Sequence, residues 1–86
     1  MKTLTFKFHS DPGHGWLEVP QTLIMQLGLV DKISHYSYFK DNTAYLEEDG
    51  DAGIFLDALK LNKDIKVEFD EISYNNESKI RSYPSY

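Results

Sequence analysis

The chain has 86 residues, enough for one domain, and its 41% apolar and 14% aromatic content favours a folded core over disorder. It contains no cysteine, which excludes disulfides and thiolate metal ligands and fits a reducing cytoplasm, and no apolar run approaches the roughly 18 residues needed to cross a bilayer. The excess of 14 acidic over 9 basic residues gives a net charge of −5, which disfavours non-specific binding to nucleic acid or to an anionic membrane surface.

Two strands are predicted at the start of the chain. Lys2–Phe8 alternates apolar and polar residues, which is typical of a half-buried strand and unlike the continuous apolar segment of a signal peptide. Pro12 and two glycines interrupt this pattern, so His9–Gly15 is predicted to be a loop. Trp16–Val19 resumes the alternation and is predicted to be the second strand.

A short helix should follow between Pro20 and Gly28. Proline suits the first turn of a helix, where its missing N–H is not needed, and glycine suits the position after a helix end. Only about two turns fit between these residues, which is too short for independent stability, so tertiary packing must hold the helix. Its predicted buried stripe consists of Leu23, Ile24 and Leu27.

A β-hairpin is predicted next, with Ile33–Phe39 and Ala44–Glu47 as its strands. The turn between them is centred on Asp41 and Asn42, and both residue types tolerate positive φ, so a two-residue loop fits. This loop fixes the register, because a slip of one residue would exchange the two faces of the hairpin. The register puts Ile33, Phe39, Ala44 and Leu46 on the core face and Tyr36, Tyr38, Lys40, Thr43 and Tyr45 on the opposite face.

The second helix is predicted over Ala52–Lys60, with Asp51 as its N-cap and Asp49 close to the positive end of the helix. A last strand is predicted over Ile65–Asp70, where alternation places three apolar side chains inward. The buried stripe of the helix should consist of Ile54, Phe55, Ala58 and Leu59, and the inward residues of the strand should be Ile65, Val67 and Phe69.

These elements predict an α+β fold. A single domain over residues 1–72 should contain about five strands in an antiparallel or mixed sheet, with two short helices on one face, in the order β-β-α-β-β-α-β. Residues 73–86 form a polar C-terminal tail without periodicity, and a loose tail is the default expectation. The alternative is a segment that docks on the sheet or on a partner through Ile80, Arg81 and Tyr83.

Three residues of the predicted first loop, His9, Asp11 and His14, are of types that bind zinc or other divalent ions, and His35 could add a ligand. His14 assisted by Asp11 or Glu18 could also act as a catalytic base. The spacing matches no metal motif, however, and the Pro–Gly pair explains the loop without a metal. No serine or cysteine nucleophile motif and no phosphate-binding glycine pattern accompanies these residues. The sequence therefore predicts no catalytic residue, no metal ligand and no cofactor.

The densest charge in the chain lies at Glu47, Glu48, Asp49 and Asp51. Acids are favoured at a helix N-terminus by the helix dipole, so a structural role is the simplest interpretation. Such carboxylates can also imitate the phosphates that a basic nucleic-acid-binding surface recognises. A third use is to hold Mg²⁺ or to act in acid–base catalysis.

The opposite face of the hairpin carries Tyr36, Tyr38 and Tyr45, and Trp16 could lie near them. Tyrosine is enriched at protein interfaces, where its apolar ring and its polar tip both find contacts. Aromatic side chains on a sheet can also stack on single-stranded bases, although the acidic net charge opposes this use. The third interpretation is a partly buried second face that the C-terminal tail covers.

Four stretches of the chain, Asp11–Val19, Tyr36–Tyr38, Tyr45–Asp49 and Lys79–Tyr83, carry a resemblance that extends over nearly the whole sequence. Together they resemble a family of small phage and plasmid accessory proteins with no assigned activity. Gly50 occupies a position where that family often has cysteine, so no thiol-based role is implied. The resemblance implies a mobile-element setting in a bacterial cytoplasm, and it transfers no catalytic or binding residue.

Small accessory proteins in that setting often bind and block a host protein, sometimes a defence nuclease. We therefore expect a non-enzymatic protein-binding accessory protein of phage or mobile-element origin, which acts as an inhibitor of a host defence protein in the cytoplasm of its bacterial host. The alternatives are a small metal- or His-dependent hydrolase and a single-stranded nucleic-acid binder. The predicted partner-binding residues are Trp16, Tyr36, Tyr38, Tyr45, Glu47, Glu48 and Asp49.

Overall fold

Strands and helices follow one another in the predicted order, β-β-α-β-β-α-β. The computed structural model describes residues 2–62 and 64–86, and Met1 and Lys63 of the predicted domain lie outside them. The strands are β1 (Lys2–Ser10), β2 (Gly15–Pro20), β3 (Tyr38–Lys40), β4 (Thr43–Glu47) and β5 (Ile65–Ser73). The helices are α1 (Gln21–Gln26) and α2 (Asp51–Lys60), and short 3₁₀ helices span Val30–Lys32 and Lys79–Ser82. None of the helices in the described residues has the length and the apolar character to cross a membrane.

The five strands form one mixed sheet in the order β3-β4-β2-β1-β5. β1 pairs antiparallel with β2 and parallel with β5, while β4 pairs antiparallel with both β2 and β3. Both helices pack on the same face, where Ile24 of α1 and Phe55 of α2 belong to one apolar cluster with residues of β2 and β4. The predicted α+β fold is therefore confirmed, and the sheet is of the mixed kind.

The core lies between this face of the sheet and the helices. Val19, Ala44 and Leu46 have no exposed surface. Phe55 is also fully buried, and its ring meets that of Phe6 edge to face with the centroids 5.5 Å apart. Each large apolar side chain that is fully buried contributes about 1.5–3 kcal/mol, so these residues are a main source of the stability of the fold.

The hairpin turn has the predicted geometry. Asp41 and Asn42 both adopt positive φ, at 53° and 60°, as a two-residue loop whose twist matches the strands requires. Ala44 and Leu46 lie in the core, as the predicted register demands. The cross-strand pairs Tyr38 with Tyr45, Phe39 with Ala44 and Lys40 with Thr43 are all confirmed.

The strand before this turn is shorter than predicted. β3 begins at Tyr38, so Ser37 and Tyr36 do not continue the ladder opposite β4. The hydroxyl of the fully buried Ser37 donates to Asp51 and accepts the backbone N–H of Glu47. This side chain takes the place of a ladder hydrogen bond, and the chain before it runs through turns instead of a strand.

The start of α2 also differs from the prediction. Gly50 occupies the N-cap position, and Asp51 is the first helical residue. Asp51 is buried, and its carboxylate accepts hydrogen bonds from Ser34 and Ser37 instead of capping the helix. This contact fixes the rotation of the helix, so Ile54, which was predicted to be buried, is 41% exposed. The buried residues of α2 are Asp51, Ala52, Phe55 and Leu59.

β1 and β5 are both longer than predicted. β1 continues through His9 to Ser10 and β5 continues to Ser73, because the two strands pair in parallel over nine uninterrupted residue pairs. The predicted first loop is thereby reduced to residues 11–14. Phe69, which was predicted to face the core, is 49% exposed because β5 is the edge of the sheet and a groove separates it from α2.

The C-terminal segment (residues 74–86) docks on the sheet. Ile80 is 1% exposed, which makes it as well buried as the residues of the main core. The N–H of Phe39 donates to the carbonyl of Pro84 at 2.8 Å, so the segment also covers the outer edge of β3. The default expectation of a loose tail is wrong, and the alternative, docking on the sheet, describes the structure.

Candidate binding site on the second face of the sheet

The face of the sheet opposite the helices carries an aromatic layer. Trp16 is 2% exposed, and the centroid of its ring lies 6.3 Å from that of Tyr38. Tyr45, the neighbour of Tyr38 across the hairpin, packs against Tyr83 of the C-terminal segment with the ring centroids 5.1 Å apart. Burial, together with the charge of Glu18, raises the pKa of Tyr45 to about 12. The C-terminal segment therefore covers part of the predicted tyrosine surface.

An ion pair between Asp11 and Arg81 fastens the C-terminal segment to the turn after β1. Arg81 Nε and Nη2 donate to the two oxygens of the Asp11 carboxylate at 2.7 and 2.9 Å. The same carboxylate accepts the backbone N–H groups of Gly13, His14 and Ser78. The Arg81 guanidinium and these N–H groups hold the pKa of Asp11 well below its usual range, and the hydrogen-bonded carboxylate raises the pKa of Arg81.

Asp11→Asn should lower the free energy of unfolding at neutral pH, and the loss should shrink in acid. Asp11 ionises at its ordinary pKa of 3.8 in the unfolded chain and only well below that in the folded protein. The ionised carboxylate therefore stabilises the fold above pH 3.8, and this stabilisation decreases as the pH falls further. Urea unfolding of both proteins between about pH 2 and pH 7 measures the difference. Asp57→Asn, which changes an exposed acid of α2, is the control, and an equal pH dependence of wild type and Asp11→Asn would contradict the ion pair.

A cleft of about 340 Å³ opens beside the aromatic layer. Trp16, which is only 2% exposed, forms the base of the cleft. Tyr36, which is 69% exposed, lies at its rim. Three aromatic rings and two carboxylates thus surround one open space. We refer to it as the aromatic–acidic cleft, and the residues that line it are His14, Trp16, Tyr36, Tyr38, Glu47, Asp49 and Arg81.

Asp51 positions two of the tyrosines of this cleft. Its Oδ2 accepts the N–H of Ser34 at 3.0 Å, the hydroxyl of Ser34 at 2.7 Å and the hydroxyl of Ser37 at 2.5 Å. The hydroxyl oxygen of Ser34 in turn accepts the N–H of Tyr36 at 3.2 Å. Tyr36 and Tyr38 flank the buried Ser37 in the sequence, so the first turn of α2 holds the backbone from which both rings project.

The cleft is electronegative. Glu47 and Asp49 contribute two carboxylates, while the positive charge of Arg81 is balanced by Asp11. Oε1 of Glu47 is shielded from solvent and accepts no hydrogen bond within the described part of the chain. A shielded acceptor without a donor costs about 1–3 kcal/mol.

Most of the predicted partner-binding residues converge here. Tyr45 lies on the same face of the sheet but does not line the cleft. Glu48 points to the other face, because it follows Glu47 by one residue and side chains alternate. There it packs so closely on Gly15 that a Cβ at that position would lie 3.0 Å from Glu48 Cδ. The predicted residues that do line the cleft are Trp16, Tyr36, Tyr38, Glu47 and Asp49.

Two residues of the cleft, His14 and Arg81, were not predicted to belong to this surface. The ring centroid of His14 lies 6.0 Å from that of Trp16, and Arg81 Cζ lies 5.6 Å from the centroid of the same ring. No local pattern relates Arg81 to its carboxylate partner, because the two residues are 70 positions apart in the sequence. Only the docking of the C-terminal segment brings them together.

The three residues considered as metal ligands or catalytic groups do not converge. His9 Nε2 bonds with Glu18 Oε1 at 2.8 Å, and His9 Nδ1 bonds with the hydroxyl of Tyr74 at 2.9 Å. Asp11 binds Arg81 and contacts His14 through the backbone N–H of that residue, while Glu18 binds His9, so neither acid is placed to assist the His14 ring. Residues 2–62 and 64–86 contain no group of three or more His, Cys, Asp or Glu side chains arranged to hold a metal. The geometry therefore gives the hydrolase hypothesis no support.

Comparisons with known proteins add no further constraint. A scan of protein-family models finds no match to this chain, and searches of curated proteins and of solved structures find no significant match. The resemblance to phage and plasmid accessory proteins stays a prediction, and the geometry of the cleft is the basis for the functional argument.

Proposed function

We propose that this chain is a non-enzymatic binding protein that recognises a basic surface of a partner protein, and that an arginine or lysine side chain of the partner enters the aromatic–acidic cleft. The observation that carries this proposal is the meeting of Tyr36 and Tyr38 with Glu47 and Asp49 around one open space. Aromatic faces attract a cation through their quadrupole, and carboxylates attract it through their charge. The combination selects a long, positively charged side chain.

The strength of such contacts is sufficient for recognition. A cation over an aromatic ring contributes about 0.5–1 kcal/mol at an exposed site and about 2 kcal/mol when it is desolvated. A hydrogen bond to a charged group contributes about 1.5–3 kcal/mol. Arg81, with its guanidinium carbon 5.6 Å from the ring centroid of Trp16, is an internal example of this stacking in the same cleft.

The size of the cleft limits what it accepts. Its volume of about 340 Å³ lies at the small end of ligand pockets, which range from about 300 to 1,000 Å³. One side chain of a partner is therefore a better fit than a large cofactor. The net charge of −5 would speed the approach of a basic partner. In this proposal the acidic residues imitate the phosphates that such a partner otherwise binds.

The proposal extends to the setting of the protein. The resemblance carried by Asp11–Val19, Tyr36–Tyr38, Tyr45–Asp49 and Lys79–Tyr83 supports an origin in a phage or other mobile element and a partner among the host proteins of a bacterial cytoplasm. By occupying a basic surface, the protein would inhibit the binding of nucleic acid to that partner, as a blocker of a defence nuclease must do.

The cleft should discriminate between a charged side chain and its neutral isostere. We expect a short Gly-Ser peptide with one arginine to bind with a Kd of about 1 mM or tighter, and the same peptide with citrulline to bind at least about tenfold more weakly. Citrulline has nearly the shape of arginine but no charge. Trp16 is the only tryptophan of the chain and lies in the cleft, so its fluorescence reports the titration.

Variants locate the site of this binding. Glu47→Gln and Tyr36→Ala should each weaken binding of the arginine peptide about fivefold. The first removes a negative charge from the cleft and the second removes an aromatic face. Tyr36→Ala should change the free energy of unfolding by less than about 0.5 kcal/mol, since Tyr36 is exposed. Asp57→Asn removes one negative charge as Glu47→Gln does, but on the exposed side of α2, and it should bind the peptide like wild type. Equal affinities for the two peptides would refute cation recognition.

A further inference from the structure

The two edge strands of the sheet, β3 and β5, differ in length and in whether another segment covers them. The outer edge of β3 is three residues long and is covered by the C-terminal segment, which forms an antiparallel bridge between Tyr38 and Ser85. β5, at the other edge, is nine residues long, and no strand in the described part of the chain pairs with its outer side. It contains no proline, glycine or bulge that would prevent pairing.

The backbone of β5 has alternate residues free to pair outward. The N–H of Lys2 donates to the carbonyl of Asp64, and the N–H of Tyr74 donates to the carbonyl of Ser10. In a parallel ladder these bonds mean that the backbone N–H and C=O groups of the even-numbered residues of β5 point toward β1. Val67 and Phe69 therefore direct their N–H and C=O groups away from the sheet, and their side chains lie on the core face.

We propose that β5 pairs antiparallel with β5 of a second copy of this chain, with Val67 at the two-fold axis. The two sheets would become one continuous sheet of ten strands, because a two-fold axis normal to the sheet keeps the core faces on the same side. Val67 would exchange both backbone hydrogen bonds with Val67 of the second copy. Ile65 would lie opposite Phe69 of the second copy and cover part of that residue, which is 49% exposed in the single chain.

The charges of β5 favour this register over those with the two-fold axis on Lys66, Glu68 or Phe69. With Val67 on the axis, Lys66 lies opposite Glu68 of the second copy, twice by symmetry, and opposite charges attract across strands. A shift of the axis to Lys66 or to Glu68 would set like charges directly opposite each other, and a shift to Phe69 would set Glu68 opposite Asp70. Asp64 and Asp70 meet only at the solvated ends of the proposed ladder.

The groove between β5 and α2 also favours pairing of β5 with a second copy of the chain. It has a volume of about 370 Å³, and Phe8, Leu17, Leu56 and Phe69 form its apolar lining. Phe69 stands on the edge strand itself, so a strand added beside β5 would bring an aliphatic side chain, Ile65 of the second copy, to the open side of the groove. The proposal does not depend on the function of the aromatic–acidic cleft, which lies on the other face.

Sedimentation velocity tests the proposal on the full chain. Between about 5 and 200 µM, concentrations that test for micromolar affinity, the wild type should shift from the 10.0 kDa monomer to a dimer of twice that mass. Lys66→Glu should weaken the dimer at least tenfold by placing a carboxylate opposite Glu68. The double variant Lys66→Glu, Glu68→Lys should restore the dimer to within about threefold, because the charge pairs are exchanged and not lost. Lys32→Glu makes the same charge change far from β5 and should dimerise like wild type.

Hydrogen exchange gives a second measurement. The outward amides of Val67 and Phe69 should exchange more slowly at high protein concentration, whereas those of Lys66 and Glu68, already bonded to β1, should not change. A wild type that stays monomeric over the whole range would overturn the proposal. A dimer that Lys66→Glu does not weaken, or that the double variant does not restore, would overturn the proposed register and with it the pairing.

Discussion

Replacing Phe55 with alanine should lower the free energy of unfolding by about 3–5 kcal/mol. Phe55 has no exposed surface and packs edge to face against Phe6 between α2 and the sheet. Truncation to alanine loses the transfer free energy of the ring and leaves a cavity between the helix and the sheet, and each of these effects destabilises the fold. Urea denaturation with a common m-value measures the effect, because unfolding of a single small domain is expected to be cooperative.

Ile54→Ala is the matched control for Phe55→Ala. Ile54 precedes Phe55 in the same helix, and it is 41% exposed. Its replacement should cost less than about 1 kcal/mol, since Ile54 does not belong to the core cluster and alanine is a better helix former. If Ile54→Ala proves as costly as Phe55→Ala, the rotation of α2 described above is wrong.

Replacing Asp51 with alanine should cost about 3 kcal/mol, which is large for a polar residue. Its buried carboxylate is the common acceptor for three donors of Ser34 and Ser37. Removal leaves the fully buried hydroxyl of Ser37 without an acceptor and frees the turn that precedes β3. The variant should therefore also lose part of the arginine-peptide affinity, because Tyr36 and Tyr38 are held by that turn.

Asp57→Ala is the control for Asp51→Ala, because Asp57 is an exposed acid of the same helix and should change the free energy of unfolding by less than about 0.5 kcal/mol. A double-mutant cycle with Ser37→Ala isolates the shared hydrogen bond and should give a coupling of about 1 kcal/mol or more. Additive effects of the two substitutions would contradict the contact between Asp51 and Ser37.

The parts of the fold that follow from local rules could be predicted from the sequence. Asp41 and Asn42 accept positive φ, and this single fact fixes the hairpin register from Tyr38 to Tyr45. Alternation in β1 and β2 correctly predicted which residues share a face, because successive side chains of a strand point alternately to the helices and to the second face of the sheet. The element order and the helix positions followed from the same periodicities.

The errors share one cause, which is contact between distant parts of the chain. A helix-capping role for Asp51 is the natural local expectation, and only the position of Ser34 and Ser37 against α2 turns the carboxylate inward. That contact also shortens β3, which leaves Tyr36 on a turn at the rim of the cleft instead of on a strand. The aromatic residues of the site were predictable as residue types, but their arrangement was not.

The C-terminal segment illustrates the same limit. Its composition, with one aliphatic residue and no periodicity, predicts a loose tail. Ile80 nevertheless becomes one of the best buried side chains, because the segment docks on the second face of the sheet, where Tyr83 packs on Tyr45 and Arg81 lies over Trp16. The two hydrogen bonds from Arg81 to the Asp11 carboxylate complete the attachment. These residues are 70 positions apart, so no local sequence pattern contains both of them.

The most direct test of the proposed function is a two-dimensional ¹H–¹⁵N NMR titration with the arginine peptide and its citrulline counterpart. Trp16 provides a single indole N–H resonance at the base of the cleft. Cation recognition predicts that this resonance and the amides of Tyr36 and Glu47 shift saturably with the arginine peptide and stay nearly unchanged with citrulline. Shifts confined to the acidic residues of β5, such as Glu68 and Asp70, with an unchanged indole signal would show that acidic charge alone attracts the peptide and would contradict a role for the cleft.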